Sequence, residues 1–135
     1  MPRITPSKLT TDELEQAVLA LSQRVTTLEN ALAVQSVTVS NANVTGGGIT
    51  AFRVGNILVV QVFAALPTYS GWADNQKIAD LSVGGYGAYH GALYSQDAGR
   101  CLQLFASGKA LYVRNKNSAA TGGWCIGEVV TYVSD

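Results

Sequence analysis

The spacing of apolar residues changes once along this chain, and the change divides it into two parts. Between residues 14 and 32, apolar positions recur in alternating steps of four and three, which is the heptad spacing of a coiled coil. These heptad positions are Leu14, Leu21 and Leu28 at d and Val18, Val25 and Leu32 at a. From Ser36 the period falls to two residues, as in β-strands. The pattern predicts an N-terminal helix followed by a β domain.

The predicted helix has a clear start. Thr10 and Glu13 form a capping box, in which the Thr10 hydroxyl accepts from the Glu13 amide while the Glu13 side chain reaches back. We expect the helix to continue to about Val34. Residues 1–9 contain two prolines and no periodicity, which is typical of a loose tail. The predicted organisation is a tail at 1–9, a coiled-coil stalk at 10–35 and a β head at 36–135.

The heptad stripe, defined by these six apolar residues, is too narrow to bury the helix in a globular core, so it requires partner helices. The run from Arg24 to Glu29 resembles the R-h-x-x-h-E motif of parallel three-stranded coiled coils. Arg24 lies at g and Glu29 at the following e, so each arginine can reach a neighbour's glutamate. We therefore predict a homotrimer. The predicted trimerisation residues are Leu14, Val18, Leu21, Arg24, Val25, Leu28, Glu29 and Leu32.

Two other arrangements of the helix stay open. A helix of three heptads can simply pack on its own domain. A parallel dimer is the second alternative, because valine at a with leucine at d favours two strands.

Beyond Gln35, short alternating segments recur every eight to twelve residues, which predicts a jelly-roll-like antiparallel β-sandwich. The segments 49–54 and 57–66 are predicted to form a hairpin hinged at Gly55 and Asn56. The expected turns and strands elsewhere are a turn at 46–48, strands at 77–83 and 88–94, a second hairpin of 100–105 with 110–114 turning at 107–109, and a closing strand at 124–133.

Charge and composition exclude several partners. The 135 residues include nine basic and nine acidic ones, without a basic stripe, which argues against nucleic acid or an anionic membrane. The longest apolar run, 57–66, is too short to insert into a bilayer. The first ten residues lack the apolar core of a secretory signal. The low charged fraction, 13%, suits a β domain that hides surface in an oligomer.

The cysteines and the single histidine carry little chemistry. Cys101 and Cys125 are far apart in sequence, and His90 alone cannot complete a metal site, so we expect no metal or cofactor. A disulfide requires the two cysteines to lie on neighbouring strands. Without an export signal, buried reduced thiols are the expectation.

Several short motifs resemble C-terminal head domains of bacteriophage and prophage tail-fibre and baseplate proteins. They are R-x-G-N with alternating valines at 53–60, I-x-x-L at 78–81, the glycine-containing segment 104–113 and the closing run 127–133. The resemblance spans roughly residues 10–135. It departs at 82–85, where relatives often carry a proline and this chain has Ser-Val-Gly-Gly.

The resemblance implies a function and a location. It implies a trimer of β-sandwich heads that binds bacterial surface glycans or a similar receptor during adsorption. The protein would be made in the host bacterial cytoplasm and assembled into the virion, in the phage tail or baseplate. Its N-terminal end would join other tail proteins, and its C-terminal heads would face the host.

Candidate glycan-binding residues lie in two loops that combine aromatic faces with polar groups. Segment 69–75 offers Trp72 and Asp74, and segment 86–90 offers Tyr89 and His90. The alternative for Trp72 and Trp124 is burial in the core or at a three-fold interface, which we favour for Trp124.

Rival functions remain. A purely structural trimeric connector or decoration fibre would bind no glycan. A tail-associated glycan hydrolase would need a carboxylate pair, but Asp74, Asp80 and Asp97 are dispersed and no nucleophile motif is present. We therefore expect a binding protein rather than an enzyme.

Overall fold

The computed structural model describes residues 10–67, 75–96, 99–114 and 123–134. They form two compact units that divide between Ala33 and Val34. The first contains one helix and the second is built of antiparallel strands, so the chain is mainly β with an N-terminal helix, as predicted. The elements are α1 (Thr11–Leu32), β1 (Val34–Val37), β2 (Val39–Ser40), β3 (Gly46–Val54), β4 (Ile57–Leu66), β5 (Asn75–Gly85), β6 (Gly91–Ser95), β7 (Arg100–Arg114) and β8 (Gly123–Tyr132).

The start of α1 is fixed by the predicted cap. The Thr10 hydroxyl oxygen accepts from the Glu13 backbone N–H at 3.2 Å, and the same hydroxyl lies 3.1 Å from the Glu13 carboxylate, to which it donates. Asp12 and Glu13 occupy the first turn, where negative charge favours the helix dipole. The helix ends at Leu32 because Ala33 is extended, with φ −66° and ψ 135°.

The eight strands form one antiparallel sheet in the order β1-β3-β4-β8-β6-β7-β5-β2. Its two outermost strands belong to one short segment, since only Thr38 separates β1 from β2. The Thr38 amide donates to Ser82 Oγ at 2.9 Å, and the Ser82 amide donates to the Thr38 carbonyl at 3.0 Å. The segment from Val34 to Ser40 therefore joins both edges and closes the sheet nearly into a barrel.

The sheet surrounds one hydrophobic core. In β4, alternate residues are buried, as the period-two pattern requires. Side chains from β3 to β8 and from β1 join the same cluster, and each large aliphatic residue there contributes about 1.5–3 kcal/mol by burial. The fully buried large aliphatic residues are Leu58, Val60, Val62, Ile78, Leu93, Leu104, Leu111, Val113 and Val129.

The first predicted hairpin is confirmed. β3 and β4 pair from Gly46 with Ala65 to Val54 with Ile57, leaving Gly55 and Asn56 as the loop. Gly55 has φ +56°, a value that glycine adopts without strain at the first position of a tight hairpin turn.

The predicted turn at 46–48 is wrong, because these glycines lie in β3. Gly47 has φ +68°, and a Cβ added there would lie 2.3 Å from the Phe63 carbonyl oxygen and 2.9 Å from the Trp124 ring. Gly47 therefore allows close contact with β4 and the indole rather than a change of direction.

The second predicted hairpin is also wrong. Residues 100–114 form the single strand β7, whose first part pairs with β6 and whose later part pairs with β5. Gly108 does have a turn-like φ of +56°, but it lies opposite Gly85 in an irregular stretch of the β5–β7 ladder. The glycine therefore accommodates an irregularity inside a long strand.

Substitution of Gly47 tests the close approach between β3 and β4. We expect Gly47→Ala to lower the free energy of unfolding by about 2–4 kcal/mol, because it combines a left-handed φ with contact against backbone. Gly48→Ala is the matched control, since a Cβ there meets nothing within 4 Å. Its effect should stay within about 1 kcal/mol. Urea unfolding at one chain concentration measures both, and equal effects would contradict the packing described.

Candidate functional site

All eight predicted trimerisation residues lie on α1, and all are exposed to solvent in the single chain. The six apolar residues of the heptad stripe each leave at least half of their surface uncovered. Arg24 and Glu29 form no salt bridge within the described part of the chain. The helix thus presents an apolar stripe, flanked by Arg24 and by Glu15 and Glu29, that the described part of the chain leaves exposed.

Tyr89 belongs to a cluster of three tyrosines at one end of the head. Its ring centroid lies 5.8 Å from that of Tyr86 and 5.5 Å from that of Tyr132, the latter in an edge-to-face arrangement. The backbone fixes the cluster, since the Tyr86 amide donates to the Tyr132 carbonyl at 2.9 Å. The Thr131 hydroxyl donates to the Tyr86 carbonyl at 2.6 Å.

The tyrosine cluster combines exposed rings with a shallow depression. All three rings are about half exposed, and a hollow of about 220 Å³ lies between Tyr89, Tyr132, Ile57 and Val130. Ring faces and phenol hydroxyls are the groups that contact the C–H surfaces and hydroxyls of a saccharide. Tyr132 was not among the predicted site residues.

His90 lies in a different group from Tyr89, although the two are adjacent in sequence. Its ring stacks at 4.9 Å on Phe105, which also stacks on Tyr112 at 5.4 Å. The Arg114 guanidinium lies 5.3 Å from the centre of the same Phe105 ring. The Arg114 Nε donates to Asn75 Oδ1 at 3.0 Å. The structure therefore does not bring His90 and Tyr89 to one ring-lined surface.

The other predicted binding residues, Trp72 and Asp74, lie outside the described residues, as do Tyr69 and Asp97. Trp124 is described, and the expectation that it fills the core is wrong. It is 41% exposed, its ring packs 5.3 Å from that of Phe63, and it covers the backbone of Gly47. Its place on β8 puts it on the solvent side of the sheet.

Among the described residues, no three histidine, cysteine or acidic side chains cluster as metal ligands. Nor does the described part of the chain contain a helix with the length and hydrophobicity needed to cross a bilayer.

The two cysteines do not form a disulfide. Cys101 pairs with Tyr94 and Cys125 with Ser95, so strand β6 lies between them. Cys101 is exposed and Cys125 is buried, which places the two thiols on opposite sides of the sheet. They are not on neighbouring strands, as a cross-strand disulfide would require.

A small polar network lies where β2 meets β5. Asn41 Nδ2 donates to one Asp80 oxygen at 2.8 Å, and Lys77 Nζ lies 2.9 Å from the other. The hydrogen bond from Asn41, followed by that from Lys77, lowers the pKa of Asp80 from its ordinary 3.8. The hydrogen bond to Asp80 raises the pKa of Lys77 from 10.5. Both groups are solvent-exposed, so the pair stabilises the strand ends only weakly.

Comparison with protein-family models, curated proteins and solved structures returned no match for this chain.

The Lys77–Asp80 pair predicts a pH dependence. The pKa of Asp80 is lower in the folded protein than in the unfolded chain. Its contribution to the free energy of unfolding is therefore present above about pH 4 and disappears as the pH falls through the folded pKa. Lys77 contributes to the free energy of unfolding below its ordinary pKa of 10.5. This contribution disappears as the pH rises through the raised pKa of the folded protein.

We therefore expect Asp80→Asn to lower the melting temperature at about pH 7 and to have little effect near about pH 2. Thermal unfolding followed by circular dichroism measures this difference. Lys77→Gln serves as the partner variant, and the double variant should lose no more stability than Asp80→Asn alone. A pH-independent difference for Asp80→Asn would contradict the assignment.

Proposed function

We propose that this chain is a phage or prophage virion fibre or baseplate head protein that forms homotrimers and binds a host-surface saccharide or similar receptor during adsorption. The observation that carries the proposal is the exposure of the whole heptad stripe of α1. A helix of this length is marginal in water when isolated, and its six exposed apolar side chains have a heptad partner only in another copy. The short motifs quoted from the sequence supply the phage assignment.

The trimer uses valine at a and leucine at d, with Arg24 and Glu29 of neighbouring helices forming ion pairs across the flanks. The exposure of both charged side chains without a salt bridge in the described chain supports this arrangement. The N-terminal end would join other tail proteins. The head would be a jelly-roll-like sandwich of the layers β1-β3-β4-β8 and β6-β7-β5-β2, which share one core.

The receptor site is proposed at the tyrosine cluster, with Tyr89 and Tyr132 as stacking faces. Trp72, Asp74 and His90 remain candidates from the sequence. A single shallow site of this kind binds weakly. Three linked sites on a dense glycan surface gain orders of magnitude in avidity without any new contact.

The second candidate is a structural trimeric virion module that binds no glycan. The observation in its favour is that the described hydrogen bonds that hold the tyrosine cluster end on the backbone carbonyls of Tyr86 and Tyr132. Tyrosines arranged in this way can serve packing alone.

Light scattering of the full chain tests the trimer. At micromolar concentration we expect three times the 14.2 kDa chain mass. Val25→Asp places a charge at an a position and should give a monomer, because a charge buried between helices is not tolerated. Gln23→Asp, at the solvent-facing f position, is the control and should leave the mass unchanged. A mass of one or two chains for the unaltered protein would contradict the trimer.

Glycan binding tests the receptor site. On an array of bacterial surface polysaccharides, Tyr89→Ala should weaken binding at each site by about tenfold, because the stacking face is lost. Tyr89→Phe keeps the ring and should retain most of the binding. Both variants must keep the oligomeric mass of the parent. If Tyr89→Ala and Trp72→Ala both bound glycan as well as the parent, the site would lie elsewhere on the head. A parent that bound no glycan would favour the structural module.

A further inference from the structure

An apolar surface covers the solvent side of β4 and β8, away from the core. We call it the outer face and define it by Phe63, Trp124, Ile126 and Val130, with Ile57 and Tyr132 at one end. Phe63 is 61% exposed and Ile126 is 54% exposed, and the other members are also more than 40% exposed. Together they expose on the order of 600 Å² of large apolar side chain, at the upper limit for a typical monomer.

The strand register places the outer face on one side of the sheet. Phe63 lies opposite Ile126, and Ile57 lies opposite Tyr132, so cross-strand neighbours share the same side of the sheet. Half-buried Val59 lies opposite Val130 in the row next to Ile57 and Tyr132, and the Gln61–Glu128 row separates this row from Phe63 and Ile126. The face therefore runs along the shared length of the two longest-paired strands.

Polar groups on the outer face are few and partly satisfied. In its middle row, Gln61 Nε2 donates to the Glu128 carboxylate at 3.2 Å. Glu128 is the only charged side chain of β4 and β8. Gly47 and Gly48 lie near these two residues and have no side chains. An open groove of about 780 Å³ is therefore left, and Gln61 and Glu128 are among the residues that line it. The face is thus nearly neutral, slightly concave and apolar at both ends.

We propose that the occupant of the outer face is the head of a second copy of this chain, so that neighbouring heads pack on one another within the oligomer. This inference rests on the proposed association through α1. The connection from α1 to β1 is the single residue Ala33, which holds heads of associated chains at high local concentration.

The size and charge of the outer face fit a second copy. A standard interface buries about 800 Å² per partner, close to what this face and its rim can supply. A nucleic acid or a strongly acidic partner would require a charged surface, and this face offers one carboxylate already bonded to an amide. A neutral, apolar partner surface fits the outer face, and the head of a neighbouring chain, tethered through α1, can supply such a surface.

Head packing would also place the receptor site at a boundary. Tyr132 belongs both to the outer face and to the tyrosine cluster with Tyr89. A neighbouring head on the outer face would cover Ile57, Val130 and Tyr132, which also line the hollow, and would leave Tyr89 as its open side. The saccharide site would then lie between the two heads.

Thiol labelling of the full-length chain tests the proposal. In a Cys101→Ser background, Ile126→Cys places a thiol in the outer face, and Ser107→Cys places one at an exposed position of β7. Within the oligomer, a maleimide should react at position 126 at least about tenfold more slowly than at position 107, since the interface excludes the reagent. Adding Val25→Asp, which separates the chains, should bring the two rates together.

The oligomeric mass is measured on the same samples, so the two proposals fail separately. Equal labelling rates in a chain of trimeric mass would overturn the head interface and leave the helix trimer intact. A monomeric mass for the parent would overturn the proposed association and the head interface with it. Val130→Cys provides a second outer-face position if Ile126→Cys does not fold, as judged by circular dichroism.

Discussion

Strands at the edge of an antiparallel sheet leave backbone N–H and C=O groups that need partners, and this head pairs groups on both edges with one short segment. β1 bonds to β3 and β2 bonds to β5, with the Thr38–Ser82 backbone and hydroxyl contacts between them. The closed sheet then surrounds a single core, to which Val37 contributes. The position of every surface feature, including the tyrosine cluster and the outer face, depends on this closure.

Features governed by local chemistry could be predicted from the sequence. The Thr10–Glu13 cap, the change of period near Ser36 and the Gly55–Asn56 hairpin each depend on residues close together in the chain. The glycines at 47 and 108 could not be assigned in this way. Positive φ serves turns and bulges alike, and here the deciding partners are the distant Phe63 carbonyl and Gly85.

The candidate site shows the same limit. Tyr89 and His90 are adjacent in a loop, and their sequence gives no sign that one packs on Tyr132 and the other on Phe105. The exposure of Trp124, in contrast, could be predicted from the period-two pattern of the sequence. Trp124 has the same parity along β8 as Ile126 and Tyr132, which face solvent, whereas Val129 has the opposite parity and is buried.

The position of β8 in the sheet has a consequence for biosynthesis. β8 pairs with β4 on one side and with β6 on the other, so it is the link between the two halves of the sheet. It is also the last described strand to leave the ribosome, whereas α1 is the first described element. Until β8 emerges, β4 lacks its β8 neighbour. Each β4–β8 residue pair joins positions more than 50 residues apart in the sequence. Under the proposed association through α1, helices of neighbouring nascent chains would be available to meet before any head is complete, and assembly would precede folding of the head.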